Sequence, residues 1–243
     1  MKRRKLMNGI KYIVLIVLAC IYLIPIIMML LGSVKDPAQA MLFDLSWPET
    51  FHWDNYSYVI EEGNILNGYK NSLLITGFAT FFTILFGGIA GIIIGRRSDR
   101  IGTGLYYYFV FGLTMTLQTA TTFWLLKVLN IYGTHFAVIC IYLGMRMPFT
   151  IMTFSSFIKG VPREIDEAAI MDGCNPGQMI FRVLMPILKP VAVTNIVVTA
   201  IGCWNDFMIP LFYLGSSENG RFRWRFIISL VYMQETGIMC LQY

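Results

Sequence analysis

Two long runs without a charged residue constrain this chain more than any other feature. Residues 73–95 form a run of 23 and residues 101–126 a run of 26. About 20 apolar residues in helical conformation cross the hydrocarbon core of a bilayer. Hydrophobic residues make up 56% of the chain and charged residues 14%, against about a quarter charged in soluble domains. The chain is therefore predicted to be an all-α, polytopic bundle of transmembrane helices.

Further apolar stretches extend this prediction to five full spans and an incomplete sixth. The predicted spans are residues 10–34, 72–95, 103–126, 134–157 and 190–214, with the sixth beginning near residue 226. Within the second span, Gly87, Gly91 and Gly95 have the spacing that lets two membrane helices approach closely. The alternative is that lipid merely tolerates these glycines.

Lysines and arginines orient the predicted spans. Twelve of the 19 lie in the N-terminal tail, the loop between the second and third spans, and the loop after the fourth span. Because positive charge is enriched in cytoplasmic loops, the N-terminus is predicted to be cytoplasmic. Residues 1–34 then form a cytoplasmic tail and the first helix, residues 35–70 an extracytoplasmic loop, and residues 71–243 the core. A cleaved signal peptide is the alternative for the first span, but its apolar region is long and further spans follow.

Several other kinds of site have no pattern in this sequence. The five cysteines form no CxxC pair and the two histidines no HExxH motif, so neither disulfides nor a metal site is predicted. The net charge of +5 arises mostly in the loops that set the topology, and no nucleic-acid partner is predicted. The partner that composition does predict is the lipid bilayer.

A polar stretch, EAAIMDGCNPGQMIFRVLMP at 167–186, interrupts the apolar pattern between the fourth and fifth spans. Acidic residues favour a helix that ends at the Asp-Gly pair 172–173, and the Asn-Pro pair 175–176 suits the start of a second helix. Two short helices joined by a glycine turn are predicted in the cytoplasmic loop 160–189. Small alanines would let the first helix enter a groove of another protein, and packing on lipid headgroups is the alternative.

Two finer expectations follow from helical spacing and from the glycine. Ile165, Ala168 and Ala169 are expected to share a face of the first short helix. Gly173 is expected at a tight turn that a side chain would obstruct.

The spacing of this loop resembles the EAA motif of permeases from binding-protein-dependent ABC importers. Glu167-Ala168-Ala169 is followed after three residues by Gly173, and after nine more by Val-Leu-Met-Pro at 183–186. The family pattern is EAA, three residues, glycine, nine residues and I-x-L-P, so the departures at 183 and 185 are mild. Three further segments are similar to the carbohydrate-type branch: NYSYVI at 55–60, YKNSLLIT at 69–76 and WNDFMIPL at 204–211.

The resemblance implies a type I ABC importer permease fold and a coupling role for the cytoplasmic loop. Glu167, Ala168, Ala169 and Gly173 would dock into a separate ATPase subunit. It also implies a second permease as heterodimer partner and an external solute-binding protein that delivers a sugar. The sequence contains no GxxxxGK[ST] loop, so no cofactor is expected on this chain and ATP is expected on the partner ATPase. The chain is therefore not expected to be an enzyme, although a membrane-embedded enzyme and a secondary transporter are the alternatives.

Polar groups inside apolar spans are candidates for the transport pathway, because lipid makes them costly. Trp204, Asn205 and Asp206 are expected toward the outer part of the fifth span, where indole and polar groups suit a sugar. Alternatively, Trp204 anchors at the interface and Asp206 pairs with a neighbouring helix or an outer loop. Arg146 would line the pathway or pair across the bundle, for instance with Asp206. Gln118, among several threonines, makes the third span a candidate cavity wall.

The C-terminal sequence departs from the carbohydrate-type pattern. A full sixth span is expected there, whereas 18 residues follow Arg225 and include Glu235. Three arginines at 221–225 also violate the predicted topology. We interpret these features as a C-terminus that is truncated or frame-shifted somewhere after Asn219.

Overall fold

The computed structural model describes residues 2–62 and 65–214, and every regular element in these ranges is helical. The prediction of an all-α chain is therefore confirmed for the described residues. The chain divides into two compact units, one containing residues 1–65 and the other residues 66–225. The predicted sixth span and the arginines at 221–225 lie outside the described residues.

The first unit begins with a helix that can cross a membrane. Helix α1 runs from Lys2 to Ser33, and its segment Lys11–Ser33 is long and apolar enough to span. Two short helices follow, α2 (Pro37–Ala40) and α3 (Asp54–Glu62). From Tyr12 to Leu30 the apolar side chains of α1 are almost all exposed, which suits a helix surrounded by lipid.

A buried lysine fastens the loop that follows α1. Lys35 is 2% exposed, and its Nζ donates to Asp44 Oδ1 at 2.7 Å and to Ser46 Oγ at 3.0 Å. The hydrogen bond from Lys35, with a second from Ser46, lowers the pKa of the Asp44 carboxyl to about 2. Asn55 Nδ2 donates to the carbonyls of Ser33 and Lys35, which ties α3 to the end of α1.

The second unit is built around two long helices that pack closely. Helix α4 (Ile65–Arg96) and helix α7 (His135–Ile158) match the second and fourth predicted spans, although α4 begins several residues earlier than expected. A Cβ atom at Gly91 would lie 2.6 Å from Phe154 Cβ, and one at Gly87 3.0 Å from Thr150 Cγ2. The close approach predicted from the glycine spacing is therefore confirmed.

The predicted span over residues 103–126 is not one continuous helix. The chain instead forms α5 (Arg100–Gly112) and α6 (Thr119–Val128), which have 13 and 10 residues. Each is shorter than the roughly 20 residues that a spanning helix needs. Thr114 Oγ1 donates to the carbonyl of Phe111 at 2.8 Å, a local bond that competes with continuation of the helix.

The predicted span over residues 190–214 is also not one continuous helix. Helix α8 (Glu164–Met171) is followed by α9 (Pro176–Ile187), α10 (Lys189–Asn205) and α11 (Met208–Tyr213). Helices α9 and α10 meet at a bend of 79°. Asp206 is extended and its Oδ1 accepts the amide of Ile209 at 3.2 Å, so this side chain begins a new helix instead of continuing α10.

These breaks change the number of helices that can span. Within the described residues, α1, α4 and α7 are long and apolar enough to cross a membrane, and the bent pair α9–α10 is a fourth candidate. The structure thus supports several membrane-crossing helices but does not confirm five continuous spans.

Two buried apolar clusters lie toward opposite ends of the second unit. One joins α4, α6, α7, α10 and α11 through residues such as Ile75, Tyr142 and Cys203. The other joins α4 and α7 to the segment after α8 through Phe154, Ile158 and Leu184. The second cluster places the polar loop 160–189 directly against the ends of the two long helices.

Candidate functional site

The loop after α7 contains two short helices, as the sequence predicts. Three acidic residues, Glu164, Asp166 and Glu167, lie in the first turn of α8, where they complement the positive end of the helix dipole. Asn175 caps α9: its side chain accepts the amide of Gln178, and the Gln178 side chain accepts the amide of Asn175. This reciprocal capping box satisfies two backbone amides locally.

A glycine turn joins α8 to α9. The amide of Cys174 donates to the carbonyl of Ala169 at 3.0 Å, and the amide of Gly173 donates to the carbonyl of Ile170 at 2.9 Å. This pair of bonds is a Schellman motif, and it requires a left-handed residue at Gly173, whose φ is +79°. A Cβ atom on Gly173 would meet nothing within 4 Å. Glycine is therefore required by the backbone conformation, and the expected obstruction of a side chain by neighbours is not found.

Replacing Gly173 with alanine is expected to destabilise this turn by about 1–2 kcal/mol, the cost of a left-handed conformation for an L-residue with a side chain. Gly177→Ala is the matched control, because Gly177 is inside α9 and a Cβ there meets only an ordinary contact at 3.5 Å. Thermal unfolding of the two purified variants measures the difference. Equal unfolding temperatures would contradict the required turn.

Inside α9 the helix widens. Residues Met179–Leu184 form a π-helical segment, a rare conformation that is frequent at functional sites. Leu184 is buried in the cluster with α7, whereas Phe181 faces outward. The end of α9 leads through Leu188 into the 79° bend, and Pro190 follows in the first turn of α10.

The four predicted docking residues do not all reach the surface. Glu167, Ala168 and Gly173 are exposed, but Ala169 is only 6% exposed and packs against its own loop. Ala169 is thus a packing residue of the helix pair, and its neighbour Ala168 has the accessible small side chain. Adjacent helix positions point about 100° apart, and sequence could not tell which of the two would be covered, because that depends on where the following helix packs.

An open groove lies beside these residues. Its volume is about 400 Å³, and it runs between α8 and the start and middle of α9. The residues that line it are Glu164, Ile165, Ala168, Ala169, Asp172, Cys174 and Val183. Ile165, Ala168 and Ala169 therefore share a face, as predicted, and that face is edged by two carboxylates.

The exposed part of α8 has an apolar end that sequence reasoning missed. Met171 is 87% exposed, and Ile170 beside it is also exposed. Large exposed apolar side chains at the tip of a short helix suit a protein contact. The sequence feature that could have indicated them is their position in the last turn of α8, just before Asp172.

Two arginines fasten this loop to the long helices. Arg96, the last residue of α4, forms an ion pair with Asp166 of α8, with Nε 2.8 Å from Oδ2. Arg163 donates from Nη2 to the carbonyl of Arg96 at 3.1 Å and to Ser98 Oγ at 2.7 Å. From sequence these arginines counted only toward topology and Asp166 only toward the helix dipole, because their partners are far apart in the chain.

The candidate pathway residues near 204–206 lie at the end of α10 and the break that follows. The ring of Trp204 contacts that of Tyr69 edge to face, with centroids 5.5 Å apart. Asn205 is exposed, and Asp206 accepts the Ile209 amide. Trp204 is thus placed beside the first part of α4, and this end of α10 carries both aromatic and polar groups.

The other two pathway candidates are placed differently. The guanidinium of Arg146 lies against α10 at Gly202, where a Cβ atom would be 2.6 Å from Nη2. Arg146 Nε is buried and lacks a hydrogen-bond partner in the part of the chain that the structure describes. Its pairing with Asp206 stays a prediction. Gln118 is exposed at the N-cap position of α6 and makes no side-chain capping bond, so it borders the break in the third predicted span.

Buried hydroxyl groups on α4 form a further polar set. Thr76 and Thr80 line an otherwise apolar groove of about 600 Å³ between α4, α9 and α10. Their Oγ1 atoms, and that of Thr83, have no hydrogen-bond partner among the described residues. Threonines at this spacing are common in membrane helices, which is why sequence alone did not single them out.

Comparisons with known proteins point to one family. Residues 84–241 match the family model for the binding-protein-dependent transport system inner membrane component. The melibiose/raffinose/stachyose import permease protein MelC of Bacillus subtilis (strain 168) is 27% identical over 203 residues, covering 82% of this chain and 72% of MelC. The arabinooligosaccharides transport system permease protein AraQ of the same organism is 29% identical over 210 residues, with coverages of 83% and 73%.

Two further comparisons extend this similarity. The diacetylchitobiose uptake system permease protein NgcG of Streptomyces coelicolor is 25% identical over 205 residues, covering 84% of this chain and 68% of NgcG. A chain from the crystal structure of a bacterial ABC transporter involved in the import of the acidic polysaccharide alginate has a TM-score of 0.77 and 19% identity. This superposition covers 90% of the present chain and 78% of that one. At this identity the structural match establishes the fold.

Proposed function

Because the chain belongs to the family of binding-protein-dependent transport system inner membrane components, we propose that it is a permease subunit that translocates a sugar or oligosaccharide. The sugar is delivered by an external solute-binding protein, and transport is driven by a separate ATPase. The chain is a multi-pass membrane protein and a transport subunit, not an enzyme. The observation that carries the proposal is the α8–α9 pair, which has the EAA spacing, an exposed surface and a direct attachment to the long helices.

An oligosaccharide is the cargo class that we favour. MelC, NgcG and AraQ are named for import or uptake of melibiose, raffinose and stachyose, of diacetylchitobiose, and of arabino-oligosaccharides. These compounds are short chains of sugar units. The end of α10 offers complementary chemistry, because Trp204 presents an indole ring beside the polar groups of Asn205 and Asp206. Arg146 and Gln118 are the further candidates for lining the pathway.

ATP hydrolysis belongs, in this proposal, to a partner ATPase that docks on α8. The chain has no phosphate-binding loop of its own. The exposed residues Glu167 and Ala168 and the tip residue Met171 form the docking surface, and Gly173 holds the turn behind it. Ala169 supports this surface from inside. A second permease completes the membrane part as a heterodimer.

The topology that we infer places the N-terminus and the loop 160–189 in the cytoplasm. Residues 1–34 are the tail and first span, residues 35–70 an extracytoplasmic loop, and residues 71–243 the core. Helices α5 and α6 together make one crossing, and α10 with α11 makes another, so five crossings arise from broken as well as continuous helices. This arrangement is supported by the packing of the loop 160–189 at the ends of α4 and α7, and of α11 near the start of α7.

Reconstitution tests the proposed function. The chain is co-expressed with a candidate partner permease and ATPase, placed in proteoliposomes and supplied with a candidate binding protein, and labelled oligosaccharide uptake is measured. Uptake is expected only when ATP is present on the ATPase side and the loaded binding protein on the opposite side. Uptake without ATP would indicate a secondary transporter, and chemical change of the sugar would indicate an enzyme. Either result would contradict the proposal.

A further inference from the structure

The guanidinium of Arg96 joins three helices at one point. Its Nη1 donates to the carbonyl of Ile158, the last residue of α7, at 3.0 Å and to that of Val161, three residues further on, at 2.8 Å. Its Nη2 donates to Asp166 Oδ1 at 2.9 Å, and its Nε lies 2.8 Å from Asp166 Oδ2. Arg96 itself ends α4, and Asp166 lies in the first turn of α8. We call this set, Arg96 with Asp166 and the two carbonyls, the Arg96 clamp.

The chemistry of the Arg96 clamp makes it stiffer than an ordinary surface ion pair. The Arg96 and Asp166 side chains are 16% and 17% exposed, so water screens them only in part. One charge-assisted hydrogen bond, from Nη2 to Oδ1, and the ion-pair contact of Nε with Oδ2 hold the guanidinium against the carboxylate. The last carbonyls of α7 have no intrahelical partner, and a cation at a helix C-terminus also complements the helix dipole.

A second arginine also attaches α8 to α4, and here the donating side chain comes from the residue before α8. Arg163, which immediately precedes α8, donates to the carbonyl of Arg96 and to Ser98 at the end of α4. At the same level, a Cβ atom on Gly95 would lie 2.8 Å from the carbonyl oxygen of Ser155, so α4 and α7 are in direct backbone contact. The N-terminal end of α8 is therefore held rigidly to the joined ends of α4 and α7.

The route from α8 to α10 is built differently. It passes through the Gly173 turn, the π-helical segment of α9 and the 79° bend at Leu188. Each is a change of chain direction or of helical geometry. The attachment of α8 to α4 and α7 is thus direct, whereas its connection along the chain to α10 passes through these three changes.

From this contrast we propose that the Arg96 clamp is the positioning device that transmits movement of the docked helix α8 to the transmembrane helices α4 and α7. This inference rests on the proposed function, in which an ATPase docks on α8. Arg96 and Asp166 are positioning residues, since their side chains bind α7 and α8 and leave the docking surface of α8 to the partner.

The test compares substitutions that break the Arg96 clamp with a nearby control pair. Arg96→Ala and Asp166→Asn remove the ion pair. Arg97→Ala removes an ion pair with Asp99 that is exposed and local, since the two residues are neighbours in the sequence. The full complex, reconstituted with its partner permease, ATPase and binding protein, is assayed for ATPase retention, ATP hydrolysis and oligosaccharide uptake.

In the Arg96→Ala and Asp166→Asn complexes we expect the ATPase to remain bound and to hydrolyse ATP, while uptake per ATP falls about tenfold, within the range of coupling effects between sites. Arg97→Ala is expected to match wild type. The double variant Arg96→Ala/Asp166→Ala is expected to be no worse than Arg96→Ala, because residues that act as one link are not additive. Arg96→Lys, which keeps the charge without the fork, is expected to restore uptake in part.

Several results would overturn the Arg96 clamp as a transmitting device. Unchanged uptake per ATP in both Arg96→Ala and Asp166→Asn would do so, as would an equal loss in Arg97→Ala. Loss of the ATPase in parallel with uptake would show a structural role instead. If Arg96→Ala does not accumulate, Asp166→Asn supplies the same decision, because it keeps the shape of the side chain. The wild-type complex tests the proposed function independently of the variants. If the wild-type complex shows no ATP-dependent uptake, the proposed function itself is contradicted.

Discussion

Replacing Ala168 with arginine is expected to remove the ATPase from the purified complex, whereas Ala168→Ser is expected to retain it. Ala168 is exposed and lines the groove on α8, so a long charged side chain there fills the space that a partner needs. Loss of a central interface contact costs about 2–4 kcal/mol, which weakens binding about 30- to 1,000-fold. Co-purification of the ATPase with each affinity-tagged variant, followed by ATP hydrolysis of the eluate, measures the effect.

A second arginine substitution separates docking from folding. Ala169→Arg is also expected to lose the ATPase, but through damage to the helix pair, because Ala169 is buried and lies beside Cys174 and Val183. Limited proteolysis at residues 160–189 should therefore increase in Ala169→Arg and stay at the wild-type level in Ala168→Arg. Retention of the ATPase by Ala168→Arg would contradict docking on this face of α8. Increased proteolysis in Ala168→Arg would indicate that the exposed position is structural after all.

Substitution of Gly95 with leucine is expected to prevent assembly of the membrane part. A side chain at this position enters the contact between α4 and α7, where the carbonyl oxygen of Ser155 would lie 2.8 Å from the new Cβ. Both helix backbones must then move apart. Overpacking of this kind costs about 1–3 kcal/mol and occasionally more. The fraction of monodisperse protein after detergent extraction, and its thermal unfolding temperature, report the change.

Gly77→Leu is the matched control for Gly95→Leu. Gly77 lies on the same helix α4, is exposed, and would have nothing within 4 Å of an added Cβ. It is expected to assemble and unfold like the wild type. If both variants behave alike, the close approach of α4 and α7 does not govern stability, and the glycine spacing has another cause.

The two positions also bear on how the loop works. Gly95 lies one residue before Arg96, so the close approach of α4 and α7 and the Arg96 clamp are parts of one joint at the base of the long helices. A loosened helix contact would therefore weaken both assembly and the attachment of α8. Substitutions on the exposed surface of the loop and at its buried base should therefore give different phenotypes. A substitution at Ala168 should abolish docking of the ATPase, and a substitution at Arg96 should abolish transmission of its movement.

Features that depend on short stretches of chain could be predicted from the sequence. The uncharged runs indicate membrane helices, because about 20 apolar residues match the thickness of the hydrocarbon core and a helix satisfies its own backbone hydrogen bonds there. The α8–α9 pair and its turn were predictable because the Schellman motif at Gly173 and the capping box at Asn175 are local hydrogen-bond patterns. The spacing that resembles the EAA motif lies in the same 20-residue stretch, so the family was readable as well.

Other features were decided only by tertiary contacts. The breaks at residues 113–118 and at Asp206 fall inside apolar runs, where hydropathy cannot tell a continuous helix from two shorter ones. Whether Ala168 or Ala169 faces inward depends on where α9 packs. The partners of Arg96, at Ile158, Val161 and Asp166, lie 62 to 70 residues further along the chain. Local pattern sets which segments are helices, but the charge and packing of distant helix ends decide how those segments are fastened together.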